Sequence, residues 1–251
     1  MMHAFLLIGQ SNMAGRGFLA EAVPVDTSRI YILRNGRWQN MFRPINPDRS
    51  FSGSSLAESF AEYYAKKHDV DVGLICCADG GTTLDQWMPG SLLYDHAVMN
   101  ARLAQRTSTI AGILWHQGES DCAMGRYETY QDKLLQMLNC LRKDLDLGDV
   151  PVLLGGLGDF LVDRPASAWE LQHSPFINEA LRSVAAMSEM TGFVPATGLG
   201  CNPDMLHFNA AALHEFGQRY FAEYEKLIQN RKPVQSQKAN SDTLRSEMEL
   251  L

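Results

Sequence analysis

Short apolar runs rich in branched residues alternate along the chain with longer segments that carry apolar residues every three to four positions. This alternation is typical of repeated β-strand and α-helix units around a parallel sheet. The pattern predicts five strands, at residues 3–8, 70–76, 110–116, 150–155 and 192–196. It also predicts intervening helices, the first capped by Ser54 and the others at residues 92–103, 127–141, 176–187 and 211–227. The expected fold class is α/β, a three-layer α/β/α sandwich with a central five-stranded, mainly parallel sheet.

The same pattern divides the chain into one domain and a tail. Residues 1–230 are expected to form a single domain, because the strand and helix units follow one another without a linker. Within it, residues 17–51 have little period and are predicted to form either an irregular lobe near the site or a surface loop with a short hairpin around Asn35-Gly36. Residues 231–251 are polar and aperiodic, which predicts a flexible C-terminal tail.

Composition excludes several classes of function. The net charge is −7 and no cluster of lysine or arginine occurs, so we expect no nucleic-acid partner. The five cysteines are odd in number and lack metal-site spacing, which favours reduced thiols. The apolar run from Ala4 to Ile8 is too short for a signal-peptide core or a membrane span, so we expect a cytoplasmic protein with no membrane partner. These features leave the oligomeric state open.

The first candidate for chemistry is Ser11, in the run Gly9-Gln10-Ser11-Asn12-Met13 directly after the first predicted strand. A tight strand-to-helix turn projects a serine hydroxyl at the mouth of a site, where a nearby base can make it a nucleophile. Taken alone, the pattern is better explained by an ordinary turn in which Ser11 caps a helix.

Two further polar segments follow predicted strands. The Gly80-Gly81 turn comes after the second strand and can aim a backbone N–H at a developing oxyanion. The run 115–121, after the third strand, contains Gln117, whose two N–H donors suit the same role. It also contains His116, Glu119 and Asp121, which are chemically able to bind a metal. Because histidine ligands normally come in sets and no second histidine lies nearby, we expect no metal.

A histidine and a carboxylate lie together near the other end of the chain. Asp204 and His207 are three residues apart, so the carboxylate can accept the Nδ1 proton and fix the imidazole tautomer. The other ring nitrogen can then take the proton of Ser11. Since parallel strands place their carboxyl ends at one edge of a sheet, we expect all four segments to meet there.

Together these segments resemble the sequence blocks of the SGNH hydrolase superfamily. More narrowly, they are similar to the carbohydrate esterase family 6 branch, which includes acetylxylan esterases and sialate O-acetylesterase-like proteins. The blocks occur in the family's order from Gly9 to Phe208. The resemblance implies a flavodoxin-like fold, with Ser11 as nucleophile and His207 as general base oriented by Asp204. It implies no cofactor.

The resemblance also assigns an oxyanion hole. Its donors would be the Ser11 N–H, an N–H of Gly80 or Gly81, and the side chain of Gln117, which stands where the superfamily's third block has asparagine. Glu119 is a second candidate for the acid that supports His207. Four further residues are expected to contact the substrate: Gln10, Asn12, Trp87 and His116.

The expected activity is removal of O-acetyl groups from a small sugar of the acetylated xylo-oligosaccharide or sialic acid type, through an acyl-enzyme on Ser11. Two alternatives stay open. One is an esterase or thioesterase of the same fold that acts on lipid or other small esters. The other is a non-catalytic sugar-binding relative that stacks sugars on Trp38, Trp87 and Trp115. Met13 stands where a G-x-S-x-G elbow has its second glycine, which disfavours an α/β-hydrolase lipase.

Overall fold

The first strand forms the centre of the protein because both of its faces are apolar. Strand β1 (His3–Gly9) is buried from its second residue onward. Leu6 and Ile8 pack into one hydrophobic cluster, and Phe5 and Leu7 pack into a second cluster on the opposite face. Such continuous apolar runs are typical of parallel strands that are covered on both sides.

The computed structural model describes residues 2–165 and 170–230. Within these residues the sheet has seven strands in the order β3-β2-β4-β1-β5-β6-β7. Neighbours pair in parallel, except that β3 is antiparallel to β2. The strands other than β1 are β2 (Ile30–Arg34), β3 (Arg37–Asn40), β4 (Val72–Cys76), β5 (Thr109–His116), β6 (Val152–Gly155) and β7 (Thr191–Val194).

Helices cover both faces of the sheet and complete a three-layer arrangement. Helices α2 and α6 pack against each other on one face, and α3, α4 and α5 cover the other. The α-helices are α1 (Ser11–Ala14), α2 (Leu56–His68), α3 (Leu92–Gln105), α4 (Tyr127–Leu145), α5 (Ser174–Ala186) and α6 (Ala210–Asn230). The predicted α/β class is therefore confirmed.

Two details of the prediction were wrong. The sheet has seven strands rather than five, because residues 30–40 form a hairpin that turns at Asn35-Gly36 and adds β2 and β3 to one edge. These edge strands are short and only partly buried, so they lack the continuous apolar signal of the central strands. The cap of α2 is Ser55 rather than Ser54, because Glu58 completes a capping box with Ser55.

The topology places a crevice at the carboxyl end of β1. Strand β1 lies between β4 and β5, so chain connections diverge to either side of it. In open parallel sheets, ligands bind outside the carboxyl ends of the strands at such a switch point. Ser11 begins α1 two residues after the end of β1. The fold therefore places the serine turn at this crevice.

Two remaining expectations concern the membrane and the tail. Among the described residues, no helix combines the length and the apolar character needed to cross a membrane. The predicted tail at residues 231–251 lies outside the described residues.

Candidate active site

Ser11 is held against the end of β5. The Gln10 N–H donates to the carbonyl oxygen of His116 at 2.9 Å, which fixes the turn to the neighbouring strand. Gly9 has φ +130°, and a Cβ there would lie 2.1 Å from the same carbonyl oxygen. Only glycine allows this close approach of β1 and β5. The turn consequently presents the Ser11 side chain at the crevice, where it lines a cleft of about 200 Å³.

The loop between β7 and α6 brings Asp204 and His207 to Ser11. His207 Nε2 lies 2.9 Å from Ser11 Oγ, and His207 Nδ1 lies 2.6 Å from Asp204 Oδ2. Asp204 Oδ1 also accepts the backbone N–H groups of Leu206 at 2.9 Å and of His207 at 3.0 Å. One carboxylate therefore both shapes the loop and faces the imidazole ring. The structure brings together the three residues that the sequence predicted as a set.

The state of Asp204 fixes the tautomer of His207. Partial burial raises the pKa of Asp204, but hydrogen bonds from the His207 ring and from the backbone N–H groups of Leu206 and His207 outweigh burial and lower it to about 2. The ionised carboxylate can only accept hydrogen bonds, so the neutral imidazole carries its proton on Nδ1. Nε2 is then free to accept the hydroxyl proton of Ser11.

The two glycines of the predicted oxyanion turn differ in their surroundings. The Gly80 N–H donates to Asp48 Oδ2 at 2.9 Å. Asp48 is in turn paired with the buried Arg16 guanidinium at 2.6 Å. Gly81, with φ +78°, faces open space. In the part of the chain that the structure describes, the N–H groups of Ser11 and Gly81 have no acceptor, so Gly81 is the better-placed of the two glycines.

Gln117 does not face the cleft as predicted. Its side chain is fully buried, and its Nε2 donates to the Thr82 carbonyl oxygen at 2.9 Å and to Asp121 Oδ2. Nε2 also lies 3.3 Å from Gln10 Oε1. Because both amide hydrogens already have acceptors, the assignment of this side chain to the oxyanion hole is wrong for this conformation. Gln117 instead ties the end of β5 to the loop that follows Gly81.

Three of the four predicted substrate contacts are also wrong. Trp87 and His116 are buried: Trp87 packs edge-on against Trp115 with ring centroids 5.7 Å apart, and the His116 ring lies 5.7 Å from that of Phe208. Burial lowers the pKa of His116, so its ring is neutral and packs as part of the core. Asn12 is buried and hydrogen-bonded to protein atoms. Of the four, only Gln10 borders the cleft.

The tryptophan platforms of the non-catalytic alternative are likewise not at the cleft. Trp87 and Trp115 are buried in the core. Trp38 lies on the edge strand β3 and donates to Thr107 Oγ1 at 3.0 Å. These three side chains therefore offer no stacking surface beside Ser11.

Glu119, the second candidate acid, lies in the site but away from His207. Its buried Oε1 accepts a hydrogen bond from Asn12 Nδ2 at 2.6 Å. Asp121, another member of the suggested metal set, accepts the Leu84 N–H at 2.9 Å. Among the described residues, no cluster of three or more histidine, cysteine or acidic side chains is arranged to hold a metal.

Sequence reasoning missed several residues that border the cleft. Phe51 is 66% exposed, and the Arg16 guanidinium lies 5.3 Å from its ring centroid. The Arg49 side chain is 42% exposed and pairs with Asp79 at 2.8 Å. Leu206 and Ser120 complete this border. Phe51 and Arg49 belong to the aperiodic stretch 17–51, where the prediction of a lobe near the site was the available signal.

The serine turn after the first strand and the histidine-aspartate loop before the last helix define a hydrolase of the SGNH fold. A family model described as "Carbohydrate esterase, sialic acid-specific acetylesterase" matches residues 1–226. The chain belongs to this family of carbohydrate esterases, which confirms the resemblance seen in the sequence.

Individual relatives agree with this assignment. The Arabidopsis thaliana protein named "Probable carbohydrate esterase At4g34215" is 29% identical over 172 residues, which cover 59% of this chain and 66% of that protein. Its X-ray structure gives a TM-score of 0.79 at 25% identity and covers 89% of this chain and 98% of that chain. The structure of NanS gives a TM-score of 0.73 at 16% identity, covering 92% and 98% of the two chains. A carbohydrate acetylesterase from Xanthomonas citri gives 0.67 at 17% identity, covering 92% and 57%. The last two show the fold alone.

Proposed function

We propose that this protein is a serine esterase that removes O-acetyl groups from carbohydrates through an acyl-enzyme on Ser11. The observation that carries the proposal is the continuous chain from Ser11 Oγ through His207 to Asp204, with separations of 2.9 and 2.6 Å. This is the arrangement in which a base activates a serine and an acid orients the base. Membership of a carbohydrate esterase family supports an ester substrate whose alcohol is a sugar.

The reaction follows from the proton positions in this chain. Ser11 Oγ attacks the acetyl carbonyl carbon while its proton passes to His207 Nε2, and Asp204 stabilises the resulting imidazolium. The tetrahedral intermediate then collapses, and the sugar alkoxide leaves with the proton from Nε2. In the second half, a water molecule gives a proton to Nε2 and attacks the acetyl-serine. The second tetrahedral intermediate collapses as Ser11 Oγ takes the proton from Nε2, and acetic acid leaves and ionises to acetate in solution.

Main-chain donors are proposed to stabilise the oxyanion. The N–H groups of Ser11 and Gly81 are unpartnered in the described structure, whereas the Gly80 N–H is engaged by Asp48. Asp48 and Arg16 hold the neighbouring glycine in place, so Gly81 can present its N–H without reorganisation. Donors that are fixed before the reaction stabilise developing charge most effectively.

The leaving sugar is proposed to lie between Phe51 and Arg49. The exposed Phe51 ring offers a flat apolar surface at the cleft, and Arg49 offers a cation that a ligand can reach from solvent. Arg49 is itself paired with Asp79, but this ion pair lies at the surface, where an acidic ligand can compete for the guanidinium. Arg16 is buried and paired with Asp48, so a ligand cannot reach it in the same way. A reachable guanidinium, together with the family's description, favours an acidic sugar such as an O-acetylated sialic acid over a neutral xylo-oligosaccharide.

The test is acetate release from a panel of O-acetylated sialic acids and acetylated xylo-oligosaccharides. Wild-type protein should release acetate, and Ser11→Ala should abolish release. Ser188→Ala, which changes a serine in a turn before β7, is the matched control and should leave the rate unchanged. Release by Ser11→Ala at the wild-type rate would refute the proposal. Binding of the sugars without release would support a non-catalytic relative instead.

Acyl-chain length separates the acetylesterase from a lipid esterase or thioesterase of the same fold. A site that selects an acetyl group should hydrolyse 4-nitrophenyl acetate much faster than the octanoate, because the longer chain does not fit its acyl subsite. Faster hydrolysis of the octanoate or of an octanoyl thioester would favour the alternative function, an esterase or thioesterase that acts on lipids.

A further inference from the structure

Asn12 connects three separate segments of the site through one buried side chain. It follows Ser11 in α1 and is 1% exposed. Its Nδ2 donates to Glu119 Oε1 at 2.6 Å and to the carbonyl oxygen of Leu206 at 3.3 Å. Its Oδ1 accepts the backbone N–H of Phe208 at 3.1 Å. The last two partners are the residues immediately before and after His207.

These contacts hold the base relative to the nucleophile. Ser11 and His207 lie 196 residues apart in the sequence and are carried by different segments, α1 and the loop before α6. The Asn12 amide is bonded to the backbone on both sides of His207, while its own backbone adjoins Ser11. A displacement of about 1 Å at a reacting group can cost roughly 100-fold in rate. The distance from Ser11 Oγ to His207 Nε2 therefore depends directly on Asn12.

Glu119 acts with the Leu206 carbonyl oxygen and the Phe208 N–H to determine which way the Asn12 amide faces. A carboxylate only accepts hydrogen bonds, so it requires the NH₂ group of Asn12 on its side. That orientation leaves the amide oxygen directed at the Phe208 N–H. The other titratable groups that interact with Glu119 are His116, Cys122, Tyr130 and Tyr220. His116 Nδ1 lies 3.8 Å from Oε1, and burial lowers the pKa of His116, so it supplies no positive charge. Burial raises the pKa of the other three, so they too are neutral. The hydrogen bond from Asn12 is thus the main polar contact of this buried carboxylate.

We propose that Asn12 is a positioning residue that sets the separation of Ser11 and His207, with Glu119 as the side-chain acceptor that reinforces the orientation of the Asn12 amide. The proposal rests on the proposed function, because it assigns a role within the serine esterase reaction. It replaces two sequence-based expectations: Asn12 acts through His207 rather than on the substrate, and Glu119 acts through Asn12 rather than on the imidazole.

The first test separates positioning from general stability. Asn12→Ala should lower kcat for 4-nitrophenyl acetate about 100-fold with little change in KM, because the acyl cleft itself is unaltered. The matched control is Asn178→Ala, which also removes two backbone hydrogen bonds, both to Leu157 and neither to the segments that carry Ser11 and His207. It should lower Tm without lowering kcat. Equal losses of kcat in both variants, or a wild-type kcat for Asn12→Ala, would overturn the proposal.

The second test reverses the direction of the hydrogen bond between Asn12 and Glu119. Glu119→Gln keeps an oxygen that can accept from Asn12, so kcat should stay within about tenfold of wild type. Asn12→Asp places two carboxylates face to face and should lose at least 100-fold. The double variant Asn12→Asp/Glu119→Gln restores a donor opposite an acceptor and should regain at least tenfold over Asn12→Asp. A double variant no better than Asn12→Asp would contradict the proposed role of Glu119.

Failure of this inference is distinguishable from failure of the proposed function. If wild-type protein hydrolyses the ester and Ser11→Ala does not, the proposed function stands whatever Asn12 does. If Ser11→Ala is as active as wild type, the proposed function is wrong. The Asn12 variants should then show no selective loss of kcat, because the activity does not depend on the Ser11–His207 distance.

Discussion

Replacing Asp204 with asparagine should invert the tautomer of His207. Asp204 Oδ1 accepts two backbone N–H groups, from Leu206 and His207, whereas Oδ2 faces the ring at 2.6 Å. An asparagine keeps both backbone hydrogen bonds only if its oxygen takes the Oδ1 position. Its NH₂ group then points at His207 Nδ1, which must accept. The ring proton moves to Nε2, where it opposes removal of the Ser11 proton.

The expected loss is large because the wrong tautomer cannot act as a base. Asparagine in place of the aspartate of a Ser-His-Asp triad lowers kcat by about 10⁴-fold, or about 5 kcal/mol of transition-state stabilisation. We expect a loss of this size for Asp204→Asn. Asp204→Ala imposes no tautomer on His207, so its loss of kcat should be smaller than that of the asparagine variant.

The assay is the steady-state hydrolysis of 4-nitrophenyl acetate between pH 5 and 9, with the fold of each variant checked by circular dichroism. The Glu119→Gln variant is the contrast, because Glu119 contacts Asn12 rather than His207; its kcat should stay within about tenfold of wild type. An Asp204→Asn enzyme that is folded and keeps more than a tenth of wild-type kcat would refute the reasoning. Equal inactivation of Glu119→Gln and Asp204→Asn would assign the acid role to both residues.

Three further predictions concern the cleft, the buried amide and pH. Phe51→Ala should raise KM for an acetylated sugar severalfold. Phe42→Ala should leave KM unchanged, because Phe42 is exposed over Arg34 and does not border the cleft. Equal KM values for the two variants would contradict contact between Phe51 and the sugar. Gln117→Leu should lower the free energy of unfolding by about 1–3 kcal/mol with kcat within tenfold; a loss of about 10²- to 10³-fold at unchanged stability would return Gln117 to the oxyanion hole. Because the folded pKa of Asp204, about 2, lies below the ordinary 3.8, its stabilising contribution is present above pH 3.8 and disappears as pH falls toward 2. Urea unfolding at several pH values should therefore show a smaller loss for Asp204→Asn than for wild type, and equal losses would contradict this.

The parts of the fold and site that the sequence predicted are those with strong local signals. The central strands are continuous apolar runs, and Ser11 follows the first of them directly. Asp204 and His207 are close in sequence, so their contact requires only a local turn. The hairpin at Asn35-Gly36 was one of the two alternatives for residues 17–51 and is present. Its strands β2 and β3 were not assigned to the sheet, because short, half-exposed strands have few apolar positions to form a pattern.

The errors at the site have a different cause. Position at a strand end predicts that a residue lies near the crevice, but the direction of its side chain depends on tertiary contacts. Asn12, Trp87 and His116 all follow or adjoin segments that meet at the crevice, yet the side chain of each is buried against protein atoms. Phe51 carried no signal of its own beyond the predicted lobe, because an exposed aromatic residue in an aperiodic loop looks like any other surface residue.

The most direct test of the central claim is to trap the covalent intermediate. Wild-type protein mixed with 4-nitrophenyl acetate and quenched in acid should show a burst of nitrophenol, and peptide mapping should find one acetyl group on Ser11. His207→Gln should show neither a burst nor the acetyl group, since no base takes the Ser11 proton. Turnover without any acetyl group on Ser11, or acetylation of a different residue during turnover, would contradict the account.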